Sequence, residues 1–318
     1  MPVETTPLLR QFSGDQAPPR GDSHPITLRA CHSAWRAIGP TILFIIRAIL
    51  ASYLTSVAGV ALKYKLDTED EHTAWRIPFQ FSTVSFVLQW IYHMLTMIWT
   101  GMHTFAPNSA ETQEDSSSSA FLDRLHQIAS PPQQITEAKR FSFSMFYTIS
   151  HVFTLLNTLI YWAVLVPSGH GGFRLPEIPH HHHQPGNSTV VFYNPNKGLF
   201  EEDGVKAFSI LNIWSITAVI AFLEMGFLNS IRRQTPVVWH VIGTIVASGL
   251  YIAWAGLGKA ASGHWGLFFL DPKLMGNSTG AAVASAIAFI VVSPSVFTYI
   301  YGLIAMRESL TAAHWATS

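Results

Sequence analysis

The sequence predicts an all-α integral membrane bundle of six transmembrane helices, and three observations predict it. Six apolar stretches run through the chain: Ile38–Val60, Ile77–Trp99, Phe141–Val166, Val205–Phe227, Val237–Gly256 and Ala281–Met306. Each matches the roughly 20 helical residues that cross a hydrocarbon core of about 30 Å. Only 12% of the residues are charged and 49% are hydrophobic, a balance suited to lipid as the solvent. The stretches also mostly lack the polar stripe that a soluble core helix turns to water. Backbone inside a bilayer must satisfy its own hydrogen bonds, so each stretch reads as a helix rather than a loop or an open sheet.

In chain order, residues 1–36 form a polar tail, 37–307 the transmembrane domain and 308–318 a second short tail. The first tail is rich in Pro, Thr and Ser, reads as disordered up to an interfacial Trp35, and carries no signal-peptide core. Nearly all apolar material belongs to one bundle, which leaves no second folded domain. A formal net charge of zero excludes a basic field for nucleic acid. The single cysteine, Cys31, excludes intrachain disulfides and paired-cysteine metal motifs, and nothing implies a cofactor.

Each of the first five spans carries ionisable side chains that lipid penalises: Arg47 in span one, His93 in two, His151 in three, Glu224 in four and His240 in five. All five fall toward the same end of the bundle, about 6–15 Å in at helical rise, and on five helices that can face one interior. They predict a polar cavity for a lipid headgroup, a small anion or a proton, with a Glu224–His240 ion pair across the tight turn between spans four and five. Interhelical hydrogen bonding is the plainer alternative. Span six differs: Gly280 to Ala288 is a run of small residues suited to close packing, and Pro294 can kink the helix.

Lys/Arg flanks set orientation. Arg29, Arg36, Lys139, Arg140, Arg232, Arg233 and Arg307 share the end assigned to the cytosol with both termini, against Lys63, Lys65, Arg76, Arg174, Lys197, Lys206, Lys259 and Lys273 on the other. The positions of Arg232–Arg233 and Lys139–Arg140, rather than the count, carry the assignment. The sequons Asn187-Ser188-Thr189 and Asn277-Ser278-Thr279 fall on the other side, as glycosylation of Asn187 and Asn277 requires. Glu4, Leu8 and Leu9 on the cytosolic tail resemble an acidic dileucine signal, which implies sorting adaptors as partners and an endomembrane address such as a vacuole or lysosome. The segment Pro107–Ser119 reads as a flexible acidic spacer. His180, His181, His182 and His183 form a run that binds metal weakly or gains charge in an acidic lumen, or is simply a solvated loop.

Several landmarks resemble the androgen-inducible membrane protein family and the related rolling stone proteins. They are Trp75 with Phe79-Gln80-Phe81-Ser82-Thr83, Leu211-Asn212 with Glu224-Met225, Tyr251-Ile252-Ala253-Trp254, and Gly263-His264-Trp265 followed by Phe268-Phe269-Leu270-Asp271-Pro272. The resemblance covers about 47–306. It implies a threonine hydrolase of fatty acid esters, with Thr83 or Ser82 as the nucleophile and a histidine in span four. That histidine is not matched: Leu211 to Thr217 contains none, and Trp214 or Ile216 stands in its place. A hydroxyl without a neighbouring base does not attack an ester at neutral pH. Three functions are therefore open: a non-catalytic protein that binds membrane lipids or a partner, an intramembrane hydrolase, and a small-molecule or proton-coupled transporter.

Overall fold

The computed structural model describes residues 26–68, 75–105, 131–132, 136–167 and 204–316. Every regular element among them is helical. A short α1 (Ile26–Ala30) precedes α2 (Pro40–Thr68), and a 3₁₀ turn, Ile77–Phe79, leads into α3 (Phe81–Phe105). The third span is α4 (Glu137–Ile160), prolonged by a wide turn at Tyr161–Leu165. The fourth is one rod of α5 (Gly204–Leu211), a wide turn Asn212–Ile216, α6 (Thr217–Leu223) and a second wide turn Glu224–Leu228. Then come α7 (Val237–Ser262), a 3₁₀ turn Phe268–Leu270, and α8 (Thr279–Ala316). Six of these helices are long and apolar enough to cross a bilayer, and the chain is a multi-pass integral membrane protein.

The observed spans contain or overlap the expected ones and mostly run further. Caps explain some of the ends. The Thr136 hydroxyl accepts from the Lys139 amide at 3.4 Å and Glu137 follows in the first turn, so α4 starts earlier than hydropathy shows. Gly263 ends α7 at φ 74°, donating its amide to the Lys259 carbonyl. Pro294 does not break α8. It removes the donor that would reach the Ile290 carbonyl, and the Ser293 hydroxyl supplies one at 3.0 Å.

The third span is the hub. In its most apolar window 61% of residues are buried, against 22% in α8, which lies at the edge of the bundle. Helix α4 touches α1, α3, α6, α7 and α8, while α2 packs on α3 and α5. The main core runs through Phe81, Tyr92, Tyr147, Phe153, Tyr251, Phe289 and Phe297. Ile45, Val246, Leu250, Ile287 and Val291 face outward, as helices solvated by lipid require.

The tail boundaries differ from expectation. Residues 26–35 are ordered against the bundle: Ala30 and Cys31 are buried, Ser230 donates its amide to the Arg29 carbonyl at 3.0 Å, and the Trp35 indole donates to Gly226 O at 2.8 Å. Composition missed this because the stabilising groups are a backbone carbonyl at the end of span four and an amide just after it, nearly 200 positions away in sequence. At the other end, α8 continues to Ala316, so 308–316 is helical.

Candidate functional site

The two ends of the bundle differ in chemistry. The end where α2, α4 and α7 begin is called proximal here, and the opposite end distal.

At the proximal end, Arg47, Glu224, Tyr92, Thr96, Thr100 and Asn229 form one buried network. Arg47 donates to Glu224 Oε1 at 3.0 Å, Thr100 Oγ1 at 2.5 Å, Leu228 O at 2.7 Å and Thr96 O at 3.3 Å. The Tyr92 hydroxyl donates to the same carboxylate oxygen at 2.9 Å. Arg307 continues the network, donating to Met225 O at 2.6 Å, Asn229 Oδ1 at 2.8 Å, Asn229 O at 2.9 Å and Ile231 O. Both guanidinium groups therefore serve the carbonyls that span four leaves unpaired where it ends. The rings of His93 and His151 have centroids 5.5 and 5.0 Å from that of Tyr92, which holds Glu224. His151 donates Nδ1–H to Tyr147 O at 2.8 Å, and its Nε2, both His93 nitrogens, Tyr147 Oη and Glu224 Oε2 are buried without a partner among the described residues.

The structure thus brings together four of the five expected intramembrane residues. His240 is apart, and the expected Glu224–His240 pair does not form, because Glu224 is taken by Arg47. His240 donates Nδ1–H to Pro236 O at 3.0 Å, and its Nε2 lies 2.8 Å from the Ser144 hydroxyl. Arg307 was missed because it follows the expected end of span six, and the longer α8 buries it. Above the network, burial pushes the Cys31 thiol up to about 12, with Arg47 pulling it down less strongly.

At the distal end lies a cavity of about 610 Å³. Its walls are Leu62 of α2, Ile77, Pro78, Val84, Val87 and Leu88, Phe153 of α4, and Ala247, Leu250, Tyr251 and Trp254 of α7. Thr83 is its hydroxyl, since the Tyr251 phenol is committed to Phe79 O at 3.0 Å. Lys65 Nζ donates to Thr83 Oγ1 at 3.3 Å and to Gln80 Oε1. The wall is held by backbone contacts: the Trp254 indole donates to Pro78 O at 3.0 Å and the Phe81 amide to Gly266 O at 3.3 Å. A side chain at 266 has no room, since a Cβ would stand 2.1 Å from Phe79 O.

Thr83 thus faces α7, with an ammonium beside it. Ser82 is buried next to it, and no described imidazole hydrogen-bonds either hydroxyl. The stretch of span four where the resemblance calls for a histidine packs elsewhere: Trp214 stacks on Tyr161 at 4.7 Å and Asn212 accepts from Tyr53. Asn277 is exposed at the distal end at φ 58°, just before α8. Glu4, Leu8, Leu9, His180, His181, His182, His183 and Asn187 lie outside the described residues. Among the described residues no cluster of His, Cys, Asp and Glu is placed to hold a metal ion. No protein-family profile, curated protein or solved structure matches this chain.

Proposed function

We propose that this protein binds an acyl lipid with an anionic head in the distal groove, without hydrolysing it there. The observation that carries the proposal is the groove itself. It joins an apolar channel, open to the lipid-facing flanks of Val87, Leu250 and Trp254, to a hydroxyl and an ammonium at one end. The chain of a bilayer amphiphile matches the walls, and its head matches Lys65 and Thr83 by charge and hydrogen bonding. The landmarks of the androgen-inducible resemblance support the same site, since Thr83, Tyr251 and Trp254 line it. The hydrolase those proteins imply needs a base on Thr83, and the group found there is a cationic amine. Cytosolic termini, an endomembrane address and glycosylation at Asn277 belong to the same proposal, supported by the basic flanks, the tail signal and the exposure of Asn277 at the distal end.

The test uses the full-length protein in nanodiscs with a photoreactive fatty acid. Adducts are expected on residues of α3 and α7 around the groove, reduced several-fold by Lys65→Gln and by Leu88→Trp. Adducts spread evenly over all lipid-facing helices, and unchanged by both substitutions, would contradict the proposal.

A further inference from the structure

We propose that His93, Tyr147, His151 and Glu224 hold an internal water site between α3, α4 and the end of span four. The proximal network satisfies most of its members but not these. His93, Tyr147 and Glu224 are wholly buried and His151 is 1% exposed, yet each keeps a polar atom without a partner. His93 keeps both. Buried polar atoms are nearly always hydrogen-bonded in native proteins, to protein or to ordered water, so several unmet ones together point to a bound molecule. They are together. Tyr92 is the common neighbour: its ring touches those of His93 and His151 and lies 5.7 Å from that of Tyr147. Tyr147 and His151, one turn apart on α4, have centroids 4.4 Å apart. The Tyr92 phenol ties these rings to Glu224 through Oε1 at 2.9 Å and leaves Oε2 unmet. Glu224 itself opens the wide turn Glu224–Leu228, where span four departs from regular α-helix.

The unmet atoms select the ligand. His151 gives its Nδ1–H to the Tyr147 carbonyl, so its Nε2 can only accept. Glu224 Oε2 is an acceptor as well. The Tyr147 hydroxyl has a proton to give, a neutral His93 ring has one N–H and one lone pair, and Arg47 and Arg307 each keep an unused Nε–H. A ligand that serves this set must both donate and accept. A cation meets only the acceptors and an anion only the donors, and the described His, Cys, Asp and Glu form no group placed to hold a metal ion. The close ring spacings leave no room for a lipid head. Water does both jobs: it needs about 10–15 Å³ and two to four polar partners. Bound here, it links Glu224 Oε2 to the imidazoles that the ion pair with Arg47 leaves out. The site is remote from the distal groove and does not rest on lipid binding there.

The experiment is X-ray radiolysis of the full chain in nanodiscs. Bound water yields hydroxyl radicals that oxidise the side chains it touches, and mass spectrometry locates them. After correction for the intrinsic reactivity of each ring, Tyr147, His93 and His151 are expected to oxidise several-fold faster than Phe81 and Phe297, which are just as buried but sit among apolar groups. The wild type alone decides this, whether or not a variant folds. Two variants then place the water. His93→Phe puts an apolar ring in place of a partner and is expected to cut oxidation of Tyr147 several-fold. Tyr147→Phe keeps the ring packing, removes only the hydroxyl, and is expected to lower oxidation of His151. Oxidation of Tyr147, His93 and His151 no faster than that of Phe81 and Phe297 would overturn the site. So would rates unchanged in both variants, or equally rapid oxidation of Phe297, which would mean that bulk water enters the proximal end. None of these outcomes bears on lipid capture at the distal end.

Discussion

The proximal and distal halves of this bundle solve opposite problems with the same helices. Proximally, five elements bring charged and polar side chains into lipid depth, and most of their hydrogen-bonding capacity closes on other protein groups. Arg47 and Arg307 together make eight hydrogen bonds, five of them to backbone carbonyls. Distally, α3 and α7 part around an apolar channel whose polar groups lie at one end. The contrast separates anchoring from binding. Buried charge that is hydrogen-bonded to backbone carbonyls fixes where helices end, whereas the apolar wall with a polar group at one end is what the proposed lipid binding rests on.

The sharpest way to break this comparison is at the ion pair. Arg47→Met or Glu224→Leu alone leaves a buried charge without its partner, and each is expected to destabilise the protein by about 3–5 kcal/mol. The double variant is expected to lose less than the sum of the two. Thermal unfolding in detergent measures all three, and strict additivity would show that the pair is not coupled. Arg307→Met is expected to cost about 3 kcal/mol, because it strips charged donors from the end of span four. Lipid capture at the distal groove is expected to survive in the folded fraction of that variant, read by the same photoreactive fatty acid.

Distal substitutions sharpen the comparison from the other side. Thr83→Val keeps the shape of the groove wall and removes its hydroxyl. It is expected to change stability by no more than about 1 kcal/mol and to weaken lipid binding by up to about tenfold. Equal loss of stability at Thr83 and at Arg47 would erase the distinction between the two ends.

The smallest effect concerns Cys31. A thiol held at about 12 is protonated at pH 8, so alkylation is expected to be slow in the folded protein and fast once it unfolds. The sign of the linkage follows. The folded state favours the protonated thiol, so this contribution is complete below the ordinary value of 9.0 and falls as pH rises from there toward about 12. Rapid labelling of folded protein at pH 8 would mean that residues 26–35 do not cover the network.

The spans were legible because a bilayer demands length and apolarity, and both are properties of a contiguous stretch. Of the residues expected at one level, Arg47 and Glu224 pair directly, while His93 and His151 pack on Tyr92, which is bound to the same carboxylate. Rotation about each helix axis was not legible. Sequence spacing placed His240 level with Glu224, yet its two ring nitrogens turn to Ser144 and Pro236. Backbone acceptors were also invisible, which hid the burial of Arg307 and the ordering of residues 26–35. Thr83 was singled out by resemblance, but its neighbour Lys65 comes from another span, and only the packing of α2 beside α3 joins them.

The central claim, that the distal groove holds an acyl chain, is tested most directly by an experimental structure of the protein in lipid nanodiscs. The account predicts continuous chain-like density along Val84, Leu88, Phe153 and Leu250, with its head within hydrogen-bonding distance of Lys65 and Thr83. A groove closed by its own side chains, or density there no stronger than on the outer faces of α2 and α8, would contradict it.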